Sequence, residues 1–571
     1  MNHLRRLFSR PRSHPLLSFR FSFFVFPSHA FLLFLSLLLI TASCAPAITA
    51  ITTDSQQPAE NFVLVTPNPA ATATPFRAPL ITALSTSAPV PSATATSTAT
   101  EAPTDTPAPT DLPAASDTPG STDQAAPTAS PTTAPADNGS PPPAAGDKPA
   151  YALNALMDYA GHSLTVSETV IYPNTSGAAL GNIVLGVNTN LWSGVFALQS
   201  LSVNDQDSSD YTLSGQWLTV NLAAPLQPGQ AVKIGIGYRL ALPYSSGKFE
   251  NFGYTSYETN LIDWYPFVVP YQNGSWLLPD PYSYGENLAY PEADFRVSLS
   301  FADATAPTVA ASAPGSLENG ALVYVLPNAR NFTISASYQF QMSSANVNGV
   351  DVYSYYFAQD ANAAAMALQL TQMAINTYSS SFGPYVHSSL TVVETDLNDG
   401  LETDGLYFLS RSFYQSYDGS VRNNLSVIAV HETAHQWWYG AVANNQATEP
   451  WLDEALATYS EHIFYESNYP TLVNWWWGFR VNSFAPTGWV DSRIYDTPSF
   501  RAYVNAVYFN GANFLDSLRK RIGDEAFFAF LQDYYARERG SISSADAFFT
   551  ILSQHTNVDV SDLVKAYFRY R

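Results

Sequence analysis

The chain has almost no cysteine, and Cys44 is the only one in 571 residues. No disulfide can form within these residues, so apolar packing has to stabilise the fold, with a bound metal ion as a second possible source of stability. Basic residues are also scarce, with 25 Lys and Arg against 47 Asp and Glu, and the formal net charge is −22. An acidic surface of this kind repels phosphate backbones, and we therefore expect no nucleic acid partner.

Aromatic residues are absent from 77 to 150, where Thr, Pro, Ala and Ser dominate. A segment of this composition cannot bury enough apolar surface to form a core. We predict that residues 45–150 are a disordered linker between an N-terminal signal and the folded domains.

The N-terminal segment contains arginines but no acidic residue before Cys44, and it has an apolar run from Ala30 to Ala42. The run is too short for a confident membrane span and is typical of an export signal. Residues 1–44 resemble a bacterial lipoprotein signal, in which the cysteine becomes the lipidated first residue of the mature chain. We therefore predict an extracytoplasmic protein anchored to the bacterial cell membrane through Cys44. An uncleaved membrane anchor is the alternative, and it gives the same location.

Two patterns of apolar residues follow the linker and predict a multidomain protein. Residues 151–347 contain short runs with apolar side chains at every second position, which is the period of strands with one buried face. From Asp360 onward, strong helix formers and apolar spacings of three and four residues predict helices, and the run from Leu390 to Asp396 predicts one strand. We predict an all-β domain at 151–347 and a mainly α domain with a small sheet at 348–571.

One short motif carries the chemistry. In His431-Glu432-Thr433-Ala434-His435 the two histidines are four residues apart, so on a helix both imidazoles lie on one face and can reach one metal ion. Glu454 follows in WLDEALATYSE and completes the pattern of a catalytic zinc site. Glu432 can hold a water molecule at such a site. The alternative is that these histidines are ordinary core or surface residues.

The order of β domain, strand, HETAHQWWYG and WLDEALATYSE resembles aminopeptidase N and leukotriene hydrolase, which are gluzincin metallopeptidases. The likeness covers about residues 150 to 571. It implies a thermolysin-like zinc peptidase domain, one zinc ion held by His431, His435 and Glu454, and Glu432 as the general base. It also implies peptides as substrates.

Members of this family bind the free amino terminus of the substrate with the glutamate of a Gly-Ala-Met-Glu-Asn segment. The corresponding stretch here is Asp399-Gly400-Leu401-Glu402-Thr403, which keeps the glutamate but differs at its first and last positions. The resemblance implies that Glu402 binds substrate, and a carboxylate near the metal suits an ammonium group. The alternative is a solvated carboxylate in a loop.

The stretch Tyr508-Phe509-Asn510-Gly511 is similar to the family's Tyr-Glu-Lys-Gly segment, whose tyrosine donates a hydrogen bond to the developing oxyanion. The resemblance therefore implies that Tyr508 is catalytic, and the alternative is a packed aromatic side chain. Together these residues predict a zinc-dependent aminopeptidase that removes N-terminal residues by metal-activated attack of water. A thermolysin-like zinc endopeptidase and a catalytically silent peptide-binding protein at the cell surface remain alternatives.

Overall fold

The computed structural model describes residues 146–245 and 252–571. The predicted signal sequence with Cys44 and the predicted linker up to residue 145 lie outside the described residues. Among the described residues, no helix combines the length and the apolar character needed to cross a lipid bilayer.

Strands dominate the first half of the described chain and form several sheets. In chain order they are β1 (Ala150–Asp158), β2 (Ser163–Pro173), β3 (Leu180–Gly186), β4 (Phe196–Val203), β5 (Gln206–Asp207), β6 (Tyr211–Ser214), β7 (Trp217–Leu226), β8 (Ala231–Ala241), β9 (Gly253–Tyr254), β10 (Thr259–Leu261), β11 (Phe267–Val268), β12 (Tyr271–Gln272), β13 (Ser275–Trp276), β14 (Ala293–Phe301), β15 (Thr308–Ala311), β16 (Gly315–Glu318), β17 (Ala321–Ala329), β18 (Ile334–Ser337), β19 (Phe340–Val347), β20 (Val350–Phe357), β21 (Ser389–Thr395), β22 (Gly400–Thr403) and β23 (Leu406–Ser410).

Helices dominate the second half. They are α1 (Ala361–Ser381), α2 (Arg411–Gln415), α3 (Asn424–Ala434), α4 (Trp451–Asn468), α5 (Val473–Trp476), α6 (Phe500–Val504), α7 (Asn510–Ile522), α8 (Asp524–Glu538), α9 (Ala545–His555) and α10 (Ser561–Tyr567), with π-helical turns at Trp477–Val481 and Asn505–Phe509 and 3-10 turns at Asn188–Leu191, Ala358–Asp360, Pro470–Leu472 and Asn482–Phe484.

The β region is built around an eight-stranded sheet in the order β16-β17-β14-β1-β2-β8-β4-β5. Its strands have the predicted alternation, because in β8 the even-numbered apolar residues from Val232 to Leu240 are buried. Smaller sheets pack with this one around a shared apolar core, as half-buried strands require.

The helical region contains a five-stranded sheet in the order β19-β20-β21-β23-β22. Helix α1 packs on this sheet, and α3 and α4 lie in the same apolar core. The predicted strand at 390–396 is β21. The predicted boundary after residue 347 falls in the turn of the β19–β20 hairpin, so β19 pairs with the sheet of the helical region. The predicted fold class, an all-β domain followed by a mainly α domain with a small sheet, is confirmed.

A buried arginine joins the β region to the helical region. Arg330 follows β17 and is only 2% exposed. Its guanidinium donates to the carbonyl oxygens of Gly440 at 2.9 Å, Ala441 at 2.8 Å and Ser541 at 3.0 Å. Because Gly440 lies shortly after the histidine motif, these bonds hold the β region against the chain that leaves the site.

Candidate metal centre and substrate cleft

The histidine motif lies at the end of α3. This helix begins after Asn423, whose side-chain oxygen accepts a hydrogen bond from the Ser426 N–H at 3.0 Å, a standard N-cap. The helix ends at Ala434, and His435 continues the helical path because its N–H donates to the His431 carbonyl at 3.3 Å. Both imidazoles therefore project from one face, as their spacing predicts.

Glu454 lies in the first turn of α4, which packs against α3. Helix α7 approaches α4 closely at Gly511, where a Cβ atom would lie 2.4 Å from the Cβ of Ala455. Only glycine permits this approach without a shift of the backbone. The approach brings Tyr508, in the π-helical turn before α7, next to Glu454.

Three side-chain atoms converge in the predicted metal site. The Nε2 atoms of His431 and His435 are 3.1 Å apart. Oε2 of Glu454 lies 3.3 Å from Nε2 of His431 and 3.5 Å from Nε2 of His435. In a tetrahedral zinc site with ligand bonds of about 2.0 to 2.2 Å, neighbouring ligand atoms are about 3.3 to 3.6 Å apart. The two distances to Glu454 lie in this range and the distance between the imidazole nitrogens is slightly shorter, so the three atoms can bind one zinc ion after a small adjustment.

The other imidazole nitrogens are engaged by neighbours. Nδ1 of His435 contacts the Trp438 carbonyl at 3.0 Å, and Nδ1 of His431 contacts Oε1 of Glu461 at 2.8 Å. A carbonyl oxygen and a carboxylate oxygen only accept hydrogen bonds, so in the neutral ring of each histidine the proton is on Nδ1. The Nε2 atom of each ring then presents a lone pair. Oε2 of Glu454 is buried and accepts no hydrogen bond from any described residue. Two facing imidazole nitrogens beside an unpartnered carboxylate oxygen need either a proton or a metal cation between them, and these residues fit a zinc ion.

The charges of the triad also suit a metal. Burial would raise the pKa of Glu454, but the imidazoles of His431 and His435 lower it to about 2. Burial would lower the pKa of His431, but Glu454 and Glu461 raise it to about 9. A cation that binds here therefore displaces a proton from His431.

Glu432 borders the same cleft and is only 4% exposed. Its Oε2 has no hydrogen-bond partner among the described residues. Its Oε1 packs against Gly400, and a Cβ atom on that glycine would lie only 2.2 Å from this oxygen. Burial, together with the charges of Glu402 and Glu454, raises the pKa of Glu432 to about 8 against the opposing effect of the imidazoles.

Glu402 lies on β22 and is 7% exposed, so the alternative of a solvated loop carboxylate is wrong. Its Oε1 accepts a hydrogen bond from Nε2 of Gln446 at 3.1 Å. Burial raises its pKa, and the charge of Glu454 adds to this while His435 opposes it. No Lys or Arg among residues 146–245 and 252–571 forms an ion pair with Glu402.

Tyr508 lies directly over the triad. Its hydroxyl donates to Oε1 of Glu454, and its ring is nearly parallel to that of His431, with centroids 6.1 Å apart. The side chain lines the cleft. The structure therefore brings all six predicted residues together: His431, His435, Glu454, Glu432, Glu402 and Tyr508.

The sequence reasoning missed Glu286, which lies in the segment between β13 and β14 and lines the same cleft. Burial raises its pKa well above the ordinary range, and the charges of Glu402 and then Glu454 add to the shift. These two carboxylates are therefore its neighbours across the cleft. No motif marks Glu286, and only the docking of the β region brings it to the site.

The cleft has a volume of about 680 Å³, and both regions line it. Its floor holds the triad, and the charged side chains on its walls are mostly acidic. Two further residues missed by the sequence reasoning lie beside the triad. These are Glu461, which contacts His431, and Arg480, which pairs with Glu461 at 2.9 Å.

Residues 366–567 match the model of the Peptidase family M1 domain. The chain is similar to Aminopeptidase M1-C of Oryza sativa subsp. japonica, with 25% identity over 158 residues, covering 26% of this chain and 18% of the rice protein. It is also similar to Aminopeptidase M1-D of the same organism, with 24% identity over 232 residues, covering 38% and 26%. The chain thus spans about a quarter or less of the length of these relatives.

Among solved structures, the fold is similar to a mutant M1 zinc metallopeptidase from Deinococcus radiodurans bound to a Tyr-Ser-Ala substrate. The TM-score is 0.54 with 19% identity, and the match covers 74% of this chain and 93% of that one. At this identity the likeness concerns the fold. Together with the domain match, it confirms the predicted resemblance to gluzincin metallopeptidases of the aminopeptidase N type, and the triad described above fits one zinc ion.

Proposed function

We propose that the chain is a zinc-dependent aminopeptidase that removes N-terminal residues from peptides. The observation that carries the proposal is that Glu402 and Glu286, two carboxylates without an ion-pair partner among the described residues, lie beside the metal triad. Burial disfavours the charged forms of both side chains, and an ammonium group is the natural partner that would stabilise them as carboxylates. A peptide whose amino terminus is held there can present only its first peptide bond to the metal.

The triad His431, His435 and Glu454 would hold the zinc ion. When bound, zinc supplies Lewis acid chemistry that activates water for attack on a carbonyl group. Glu432 accepts the proton of the attacking water at its unpartnered Oε2 and gives that proton to the leaving amine. The Tyr508 hydroxyl, which donates to Oε1 of Glu454 beside the triad, would donate a hydrogen bond to the carbonyl oxygen as negative charge develops.

A paired assay tests the proposal. A fluorogenic leucyl amide and its N-acetyl analogue are incubated with the full-length protein, with and without a zinc chelator. We expect cleavage of the free amide alone, loss of activity with the chelator and recovery when zinc is added. The variant Glu402→Gln should raise KM for the free amide about tenfold, because it removes a charged partner of the ammonium.

Two other outcomes overturn the proposal. Cleavage of N-acetylated peptides at internal bonds identifies an endopeptidase, and zinc binding without turnover of any peptide identifies a peptide-binding protein. Glu318→Gln changes an exposed carboxylate of the β region and serves as the matched control.

We further propose that the enzyme is tethered to the outer face of the cell membrane through a lipid on Cys44. The support is the N-terminal sequence alone: an arginine-containing start, a short apolar run and small residues before the cysteine. The full chain expressed in bacteria should partition into the detergent phase and incorporate labelled palmitate, whereas Cys44→Ser should do neither. Labelling of the Cys44→Ser protein would contradict the proposal.

A further inference from the structure

Another carboxylate faces the cleft and has no place in the mechanism above. Asp263 follows β10 and lines the cleft from the side of the β region. It is half-buried, and its backbone has a φ of 51°, an uncommon conformation for a residue other than glycine. Such a conformation at a cleft wall is a reason to look for a ligand contact.

The contacts of Asp263 leave its charge unpaired. Oδ1 accepts a hydrogen bond from the Tyr290 hydroxyl, and Oδ2 has a long contact of 3.4 Å with Nδ2 of Asn188. No Lys, Arg or His among residues 146–245 and 252–571 forms an ion pair with it. Burial raises the pKa of Asp263 to about 6, against the opposing effect of Tyr290, so the side chain is mainly a carboxylate at neutral pH.

Apolar side chains of the β region line the cleft together with this carboxylate. Trp192 and Phe252 stack with ring centroids 5.6 Å apart, and Leu191 and Ile262 line the same wall. An apolar wall that ends in a carboxylate is complementary to a long aliphatic side chain with a cationic end, as in lysine and arginine.

Tyr439 connects this wall to the end of the cleft that would hold the amino terminus. Its hydroxyl accepts a hydrogen bond from Nδ2 of Asn331 at 2.7 Å, and its side chain lines the cleft. After burial, the charges of Asp263 and then Glu402 are the largest causes of its raised pKa. Asp263 and Glu402 therefore both lie near Tyr439, and all three side chains line the same cleft.

We propose that Asp263 is a specificity-determining residue that selects peptides with lysine or arginine at the amino terminus. This inference rests on the proposed aminopeptidase function. The α-ammonium group of the substrate pairs with Glu402 and Glu286, and the cation of its first side chain pairs with Asp263. The aliphatic part of that side chain packs on the apolar wall that contains Trp192.

Neutral isosteres test the inference. The kcat/KM of the zinc-loaded full-length enzyme is measured for arginyl against citrullyl amides and for lysyl against norleucyl amides. We expect a preference of about tenfold for each cationic member, as a charged hydrogen bond provides. In Asp263→Asn, which keeps an acceptor for Tyr290, the two ratios should fall to about one. The control Asp207→Asn, on exposed β5, should keep the ratios of the original enzyme.

Thermal unfolding of Asp263→Asn shows whether the variant is folded, and Asp263→Glu should restore part of the preference because it restores the charge. The inference is overturned if the original enzyme treats arginine and citrulline alike, or if Asp263→Asn keeps the preference. Failure of the proposed function has a different signature, since no free amino-acyl amide, leucyl included, would then be cleaved. In that case calorimetry with L-arginine against L-citrulline decides the inference, and equal binding contradicts it.

Discussion

The helical region and the β region each bury a glutamate completely, but within the part of the chain that the structure describes only the glutamate of the helical region has hydrogen-bond and ion-pair partners. In the helical region, both oxygens of Glu461 have partners: Arg480 donates to them at 2.9 to 3.1 Å, Trp476 donates at 2.9 Å, and His431 contacts Oε1. In the β region, Glu168 on β2 is 1% exposed, and neither of its oxygens has a hydrogen-bond partner among the described residues.

The difference shows that partners, and not burial, decide the charge of a buried carboxylate. Burial would raise the pKa of Glu461, but Arg480 and His431 lower it. Burial raises the pKa of Glu168 well above its ordinary value. The nearby hydroxyl of Tyr238 lowers this pKa, but by less than burial raises it. The charged form of Glu461 is thus stabilised beside His431 of the triad, whereas burial favours the protonated form of Glu168. Glu432 also has an unpartnered oxygen, but Glu432 lines the cleft, where the proposed mechanism requires it to accept and release a proton.

The largest expected effect concerns Glu432. Glu432→Gln keeps the shape of the side chain but cannot take a proton, so kcat for a leucyl amide should fall about a thousandfold. Zinc content, measured by atomic absorption, should stay at one ion per chain, because Glu432 is not in the triad. Retained activity would show that another group is the base.

Removing the charge of Arg480 tests whether an ion-pair partner is what distinguishes Glu461 from Glu168. Arg480→Met leaves Glu461 buried without its cation, which makes it resemble Glu168. We expect the free energy of unfolding, measured with urea, to fall by about 3 kcal/mol. The matched control Arg493→Met removes an exposed ion pair with Asp496 and should change it by less than about 0.5 kcal/mol. Equal effects of the two variants would contradict the comparison.

The variant Glu461→Gln tests whether the charge of Glu461 supports the metal site. Glu461→Gln weakens the orientation and basicity of His431, so zinc affinity should fall about 10-fold to 100-fold. Competition with a fluorescent chelator measures this change. Glu466→Gln, on the same helix but pairing with Arg519 at the surface, should leave zinc affinity unchanged. An unaltered affinity in Glu461→Gln would show that the contact with His431 is only structural.

The smallest expected effect concerns Glu168. The unfolded chain releases the proton of this residue above about pH 4.5, but the folded chain retains it, so the group lowers stability as the pH rises from there towards its folded pKa. Glu168→Gln removes this penalty and should stabilise the protein by about 1 to 2 kcal/mol at pH 7. The gain should vanish near pH 4. Thermal unfolding across this pH range checks the sign, and a gain that does not depend on pH would contradict it.

The convergence of the two histidines could be predicted from the sequence because its geometry is local. The distance between His431 and His435 on a helix is fixed by the helical period, and α3 provides that helix over most of the motif. The alternation in β8 and the helix-forming composition of α1 likewise depend on neighbouring residues along the chain. The π-helical turn at Tyr508 has no comparable signal in the sequence.

The residues that the sequence reasoning missed depend on contacts between distant parts of the chain. Glu286 and Asp263 reach the cleft only because the β region docks against the helical region, and Arg330 holds the two regions together. Neither acid lies in a motif, and 47 acidic residues give no means of choosing them from the sequence alone. The importance of Gly400 also cannot be read from the sequence. Its lack of a side chain matters only because Glu432 packs against it in the folded chain.

The sequence by itself determined the strands, the main helices and the metal-binding motif, because periodicity and a four-residue spacing act over a few residues of one chain segment. The tertiary structure alone decided which carboxylates face the cleft and which of them keep a charge. These properties depend on desolvation and on partners from distant segments, and both exist only after the regions have packed together.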